Sequence, residues 1–282
     1  MVTGVQTCAF RSISARKQGP PLAMLTAYDY SWARIVDRAG VDMVLVGDSL
    51  GMVMLGHTST VPVTMDDMVH HCRAVARGIE HALLVADMPF GSVCSKRQAL
   101  ANAIRLVQEG GADAVKVEGG AETANIAAAI VRAGVPVQGH VGLTPQTAVS
   151  LGGFKVQGKD ATAARKVFDD ARALADAGCF SVLMEAVPAP LAAEITKSLA
   201  VPTIGIGAGN QCDGQVLVMH DLLGLYDRFV PKFVKQYAKL GETATAAIQD
   251  YVRDVANRSF PAPEHSFHMK DEELALLLKS LR

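Results

Sequence analysis

Apolar positions along the chain follow two alternating rhythms. Short runs are nearly all apolar: "LAMLTAYD" (22–29), the end of "RAGVDMVLVGD" (38–48), "ALLVADMPF" (82–90), "EGGADAVKVEG" (109–119), "RAGVPVQGH" (132–140), "DAGCFSVLMEA" (176–186), "VPTIGIGAG" (201–209) and "GQVLVMHD" (214–221). Strands without strict in–out alternation are buried on both faces, as in parallel sheets. Four runs follow Ala-Gly or Gly-Gly-Ala, the glycine that lets a helix end in a left-handed residue and turn back. Between the runs lie helical patterns. Thr64 with Asp67 three residues on reads as a capping box, followed by Met68, Cys72, Val75 and Ile79 at helical spacing. Ser95 caps a second pattern with Leu100, Ile104 and Val107 on one face, stopping at Gly110, and residues 160–178 form a third.

Eight strands alternating with helices predict a single (β/α)8 TIM-type barrel, with an open doubly wound sheet as the rival. The barrel is expected over residues 21–260, after an irregular segment 1–20 and before a tail 261–282, with additional C-terminal helices. Between strands seven and eight "NQCDG" (210–214) is too short for a helix, and 229–260 reads as helical throughout.

Composition narrows the function class. The chain has 282 residues and a net charge of -1, which leaves no basic footprint for nucleic acid or an anionic membrane. No apolar run reaches the ~18 residues of a membrane span, and the N-terminus lacks the apolar core of a signal peptide, so a cytoplasmic protein is expected. Five scattered cysteines without a C-x-x-C pair read as reduced, buried thiols.

Candidate chemistry collects at the strand ends, where parallel barrels carry their active sites. In chain order these ends present Tyr28 and Asp29, Asp48 and Ser49, Asp87, Lys116 and Glu118, His140, and Glu185. Asp48, Asp87 and Glu118 stand on consecutive strands, about 4.8 Å apart, so their carboxylates are expected to converge on one hard cation, Mg²⁺. Lys116 and Glu118, two residues apart, share a face. Glu185, two strands further round, is the candidate general base. On sequence alone His140 reads as bonded to backbone, and His70 and His71 as solvent-facing. "GIGAG" lacks the following helix of a nucleotide loop.

Seven stretches carry a resemblance: residues 26–68, "ADMPFGS" (86–92), "VKVEGG" (115–120), "PVQGHVGLTPQ" (136–146), "GGFKVQG" (152–158), 204–225 and "EHSFHM" (264–269). In this order they resemble the ketopantoate hydroxymethyltransferase family over residues 20–269, whereas the first dozen residues match nothing in it. The resemblance implies a Mg²⁺-dependent barrel enzyme of pantothenate synthesis. Such an enzyme moves a one-carbon unit from 5,10-methylenetetrahydrofolate to 3-methyl-2-oxobutanoate through a metal-stabilised enolate, giving 2-dehydropantoate. It implies metal binding by Asp48, Asp87 and Glu118, keto-acid contacts from Asp48, Ser49, Asp87 and Lys116, Glu185 as proton acceptor, and a homodecamer of two stacked pentamers. Apart from the resemblance, His140 is a candidate supporting residue. A related carbon–carbon lyase ranks second, since its "KKCGH" signature is absent. A catalytically silent scaffold ranks third, against the intact carboxylate set.

Overall fold

The computed structural model describes residues 13, 15–17, 19–150 and 152–282. The unmatched opening and Cys8 therefore lie outside the described residues.

Eight parallel strands close a barrel in chain order: β1 (Leu22–Thr26), β2 (Met43–Val46), β3 (Leu83–Asp87), β4 (Ala114–Glu118), β5 (Val137–Gly142), β6 (Ser181–Glu185), β7 (Thr203–Ile206) and β8 (Gly214–Leu217). The helices are α1 (Tyr30–Arg38), α2 (Leu50–Val53), α3 (Met65–Ala76), α4 (Lys96–Gln108), α5 (Ala121–Arg132), α6 (Ala161–Asp176), α7 (Ala189–Ser198), α8 (Met219–Leu222), α9 (Leu240–Ala256) and α10 (Asp271–Ser280). The closing glycines behave as the pattern requires. Gly40, Gly111, Gly134 and Gly178 have φ of 83°, 78°, 93° and 93° and return the chain toward the next strand. Thr64 and Asp67 form the reciprocal capping box, and Ser95 caps α4.

Side-chain parity divides the core in two. Leu22, Met24, Met43, Leu45, Leu83, Val85, Ala114, Leu183, Ile204 and Val216 fill the barrel's interior. The opposite faces of the strands join the helices' apolar stripes in a second, larger cluster. Continuing the interior parity toward the strand ends changes its chemistry: Leu83–Val85 leads to Asp87, Ala114 to Lys116 and Glu118, and Leu183 to Glu185. The bottom of the barrel is mostly apolar, with the buried Gln138 Nε2–Ser181 Oγ bond of 2.9 Å as a polar exception, and the top is charge.

The wall is uneven. Strands β2, β3 and β4 are buried at every residue, whereas Ala23 of β1 and Gln215 of β8 are exposed. As expected, no helix stands between β7 and β8. The helical reading of 229–260 holds only for Leu240–Ala256. Pro231 interrupts the earlier part, which runs across the mouth and sets Phe233 where a side chain on Gly207 would lie 2.7 Å from its ring. In the tail, residues 271–280 form α10, and neither α9 nor α10 buries a residue. Cys72, Cys179 and Cys212 are buried, but Cys94 is exposed, in a loop that lacks the apolar cover of the strands. His70 faces solvent as expected. His71 does not, because its Nδ1 lies 2.6 Å from the Tyr28 carbonyl oxygen and ties α3 to the end of β1.

Candidate active site

The charged tops of β2 to β5 meet in one buried network. Asp48, just past β2, receives its position from both neighbours. Its backbone N–H donates to Asp87 Oδ2 at 2.9 Å, and its Oδ2 accepts from Gln146 Nε2 at 2.9 Å. Lys116 Nζ sits 2.8 Å from Asp87 Oδ1, a close ion pair off the angle of a good hydrogen bond, 3.9 Å from Glu118 Oε1 and 3.1 Å from His140 Nδ1. Glu118 Oε2 accepts from the Gln146 N–H at 3.1 Å, and its Oε1 lies 3.6 Å from His140 Nδ1. His140 Nε2 reaches toward Glu185 Oε2 at 3.4 Å. This overturns the backbone-bonded reading of His140: the β4–β5 register pairs it with Glu118, so its ring enters the charge cluster.

Asp48, Asp87, Lys116, Glu118 and His140 are all buried, and burial sets their acidities. Burial, then repulsion from Asp87 and Glu118, holds the Asp48 carboxyl well above the usual range. Burial also raises Asp87, against the attraction of Lys116. Lys116 loses hydration, yet the three carboxylates around it push its ammonium above the ordinary value, so it stays charged. For Glu118, burial is outweighed by hydrogen bonding and charge from His140 and by Lys116, which leave it below the usual range. Burial and Lys116 oppose protonation of His140, but bonds to Glu118 and Glu185 raise it above the ordinary imidazole value.

The other expected residues divide. Ser49 Oγ and Tyr28 OH are 2.8 Å apart at the cavity wall. Asp29 is drawn out of the ring and caps α1 by accepting from the Trp32 N–H. Glu185 ends β6 at the rim and is more open than the cluster. Its strand end is held tightly. Its carbonyl accepts from the Leu143 N–H at 2.9 Å, and a side chain on Gly142 (φ 92°) would lie 2.3 Å from that oxygen. Ala186 follows at φ 47°, a left-handed conformation unusual for alanine, and turns the chain away once Glu185 is presented.

Gln146 is the site residue that sequence reading missed. It lies in the 3-10 turn Pro145–Thr147 after β5, and its amide bridges Asp48 Oδ2 and the Met88 carbonyl while its N–H holds Glu118. The preceding "GHVGLTP" stretch gave the only signal, a strand end followed by a proline turn.

Two buried aspartates whose pKa is held above the usual carboxylate range, with hard oxygen donors, fit a divalent cation that would relieve their repulsion. Among the described residues no three His, Cys, Asp or Glu side chains are grouped to hold a metal unaided. Glu118 spends its oxygens on Gln146, His140 and Lys116. Mg²⁺ commonly takes one or two carboxylates and completes its shell with substrate and water. Beside this cluster opens a cavity of about 560 Å³ whose walls include Met52, Phe154, Val156, Asp221, Phe229 and Phe233.

The family model described as ketopantoate hydroxymethyltransferase matches residues 7–263. The chain belongs to the ketopantoate hydroxymethyltransferase family. The match takes in residues 7–12, so the opening is not wholly foreign to the family, and it stops short of "EHSFHM" (264–269). A 3-methyl-2-oxobutanoate hydroxymethyltransferase of Heliobacterium modesticaldum is 61% identical over 258 residues, covering 91% of this chain and 94% of that protein. One of Oleidesulfovibrio alaskensis is 56% identical over 276 residues, covering 97% and 96%. Among solved structures, 2,3-dimethylmalate lyase, a PEP mutase/isocitrate lyase superfamily member, superposes at a TM-score of 0.61 with 15% identity, covering 100% of this chain and 97% of that one. Phosphonopyruvate hydrolase in complex with oxalate and Mg²⁺ gives 0.60 with 12% identity, covering 97% and 96%. At such identities these two similarities speak to the fold, a (β/α)8 barrel. Among the described residues no helix is long and apolar enough to cross a membrane.

Proposed function

We propose that the chain transfers a one-carbon unit from 5,10-methylenetetrahydrofolate to 3-methyl-2-oxobutanoate, giving 2-dehydropantoate for pantothenate synthesis. The observation that carries this reading is the buried Asp48–Asp87–Lys116–Glu118–His140 network ending at Glu185, in a chain 61% identical to a relative named for the reaction.

Asp48 and Asp87 would hold Mg²⁺, with Glu118 beside them. The bound cation supplies Lewis-acid polarisation of the keto acid, which brings the C3 proton within reach of a carboxylate base near neutral pH. Lys116, charged because three carboxylates surround it, adds positive potential where the substrate carboxylate binds. Ser49, oriented by Tyr28 OH, offers that carboxylate a hydroxyl donor. Glu185 accepts the C3 proton. His140 Nε2, facing Glu185, aligns the base and takes up the charge change. Water adds to the methylene carbon of the folate and both of that carbon's bonds to nitrogen break, so that tetrahydrofolate leaves with its N–H groups restored and formaldehyde stays in the site. The C3 carbanion then adds to the formaldehyde carbon, and the resulting alkoxide takes a proton to become the hydroxyl of the product.

The same reading makes this a cytoplasmic enzyme and carries over assembly of copies into a homodecamer. The exposed apolar positions Ile248, Tyr251, Val252 and Val255 on α9 support an assembling chain. Formation of 2-dehydropantoate from the two substrates with Mg²⁺ tests the reaction, and light scattering tests assembly. Absence of product in a folded, Mg²⁺-loaded protein contradicts the first, and a monomer the second.

A further inference from the structure

The site cluster occupies the β2–β5 side of the mouth, while the cavity continues to the β8–β1 side with different walls. There Met52 and Val53 of α2, together with Phe229, Pro231 and Phe233 from the segment crossing the mouth, give flat apolar surface. Phe229 in that segment is largely exposed at the cavity wall, as is Phe154 in the loop after β5. Two buried polar groups on this wall lack partners. Asp221 on α8 is only 8% exposed, yet its carboxylate makes no hydrogen bond or ion pair among the described residues. Thr60, in the loop after α2, is 3% exposed, and its hydroxyl also lacks a partner. Both line the cavity.

A buried carboxylate without a partner is costly. The start of its helix is anchored to the end of β1, because the Met219 N–H donates to Thr26 Oγ1 at 2.9 Å. This side of the cavity thus offers one strong acceptor and one hydroxyl that are both without a partner, beside aromatic and aliphatic walls. The ligand that complements it is flat, apolar on its faces, and carries adjacent N–H donors on one edge beside a carbonyl acceptor.

We propose that this β8–β1 side is the subsite for the pterin ring of the folate co-substrate, with Asp221 accepting from ring N3–H and the 2-amino group and Thr60 donating to the ring carbonyl. The assignment rests on the reading that a reduced folate is the one-carbon donor. It leaves the keto acid to the β2–β5 side and sets the pterin across the mouth from Lys116, with Glu185 between them in strand order. Lys155 and Lys232, also at the cavity wall, are positioned to meet the anionic glutamate tail of the folate.

Tetrahydrofolate binding to the full chain with Mg²⁺, read by titration calorimetry under anaerobic conditions, tests this. Asp221→Asn should weaken it about 10- to 100-fold, the range for losing hydrogen bonds to a charged acceptor. Thr60→Val should weaken it less. A 2-desamino analogue of tetrahydrofolate keeps the test independent of folding in the variants. The wild type should prefer the parent over the analogue by about 10-fold or more, and Asp221→Asn should erase that preference. Unchanged affinity in Asp221→Asn, or a wild type indifferent to the 2-amino group, overturns the subsite while leaving the folate reaction standing. A wild type that binds no tetrahydrofolate, with or without keto acid, overturns the folate reading and the subsite together.

Discussion

The two sides of the barrel mouth are built on opposite terms. From β2 to β5, Asp48, Asp87, Lys116, Glu118 and His140 lie each within about 4 Å of the next, and Gln146 ties Asp48 to Glu118. From β6 round to β8, among the described residues, the Glu185 carboxylate has one ion-pair partner, the Asp221 carboxylate makes no hydrogen bond or ion pair, and the walls include apolar rings open to solvent. The first side is ordered before any substrate arrives, which is the condition for electrostatic preorganisation. The second carries side chains that ligand must complete. A fixed charge field for a small anion and an adaptable wall for a large planar partner suit one enzyme with two unlike substrates.

The contrast can be broken most severely at the aspartates. Asp87→Ala removes a donor, the partner of Lys116 and the acceptor for the Asp48 N–H. Together with Asp48→Ala it should abolish Mg²⁺-dependent turnover while the barrel stays folded, as checked by metal titration and circular dichroism. Unchanged metal affinity in both variants would contradict the assignment.

Lys116→Met should act on stability. It leaves buried carboxylates without their cation, and breaking a buried pair in this way costs about 3–5 kcal/mol. The melting temperature of the metal-free variant should fall accordingly, and Mg²⁺ should recover part of the loss. Gln146→Leu is milder, because the Glu118 bond from the backbone N–H survives. Losing the amide bond to a charged acceptor should cost about 1.5–3 kcal/mol, with turnover lowered through a misplaced Asp48.

Acidity sharpens the comparison further. Asp48 and Asp87 stand above their usual values, and burial raises Asp221 to about 6. A carboxyl raised by folding disfavours its charged form, so stability is gained as pH falls through the folded value toward the usual one. His140 is also raised, and its contribution is present at low pH and lost as pH rises through its folded value. All four slopes agree. Glu118, lowered, opposes them only when pH falls below the ordinary carboxylate range. Metal-free protein should therefore melt a few degrees higher near about pH 5.5 than near about pH 8, and bound Mg²⁺ should flatten the difference. A melting temperature that rises with pH in the metal-free protein would contradict the shifts.

Much of the first side was legible in the sequence because it obeys periodicity. Apolar runs marked the strands, glycines marked the helix ends, and the two-residue spacing placed Lys116 and Glu118 on one interior face. The second side obeys no period. Phe229 to Phe233 read as helix until Pro231 and the packing of Phe233 against Gly207 took them across the mouth. Gln146 looks like any loop amide, yet it reaches Asp48, 98 residues earlier in the chain. His140 was misread for a related reason: its partners come from β4 and β6, and strand register, not local sequence, decides them. Asp221 closes the apolar run "GQVLVMHD" (214–221) with nothing in the local sequence to set it apart. Its isolation shows only when the cavity closes around it.

The central claim is that a preorganised charge cluster acidifies the keto acid and Glu185 removes its C3 proton. Exchange of that proton in deuterated water, followed by NMR with Mg²⁺ and without folate, isolates this step. The wild type should exchange, and Glu185→Gln, which keeps volume and hydrogen bonding but cannot accept the proton, should exchange about 10²- to 10⁴-fold more slowly while still binding the keto acid. Exchange in the glutamine variant as fast as in the wild type would remove Glu185 as the base and shift that role to His140 or water.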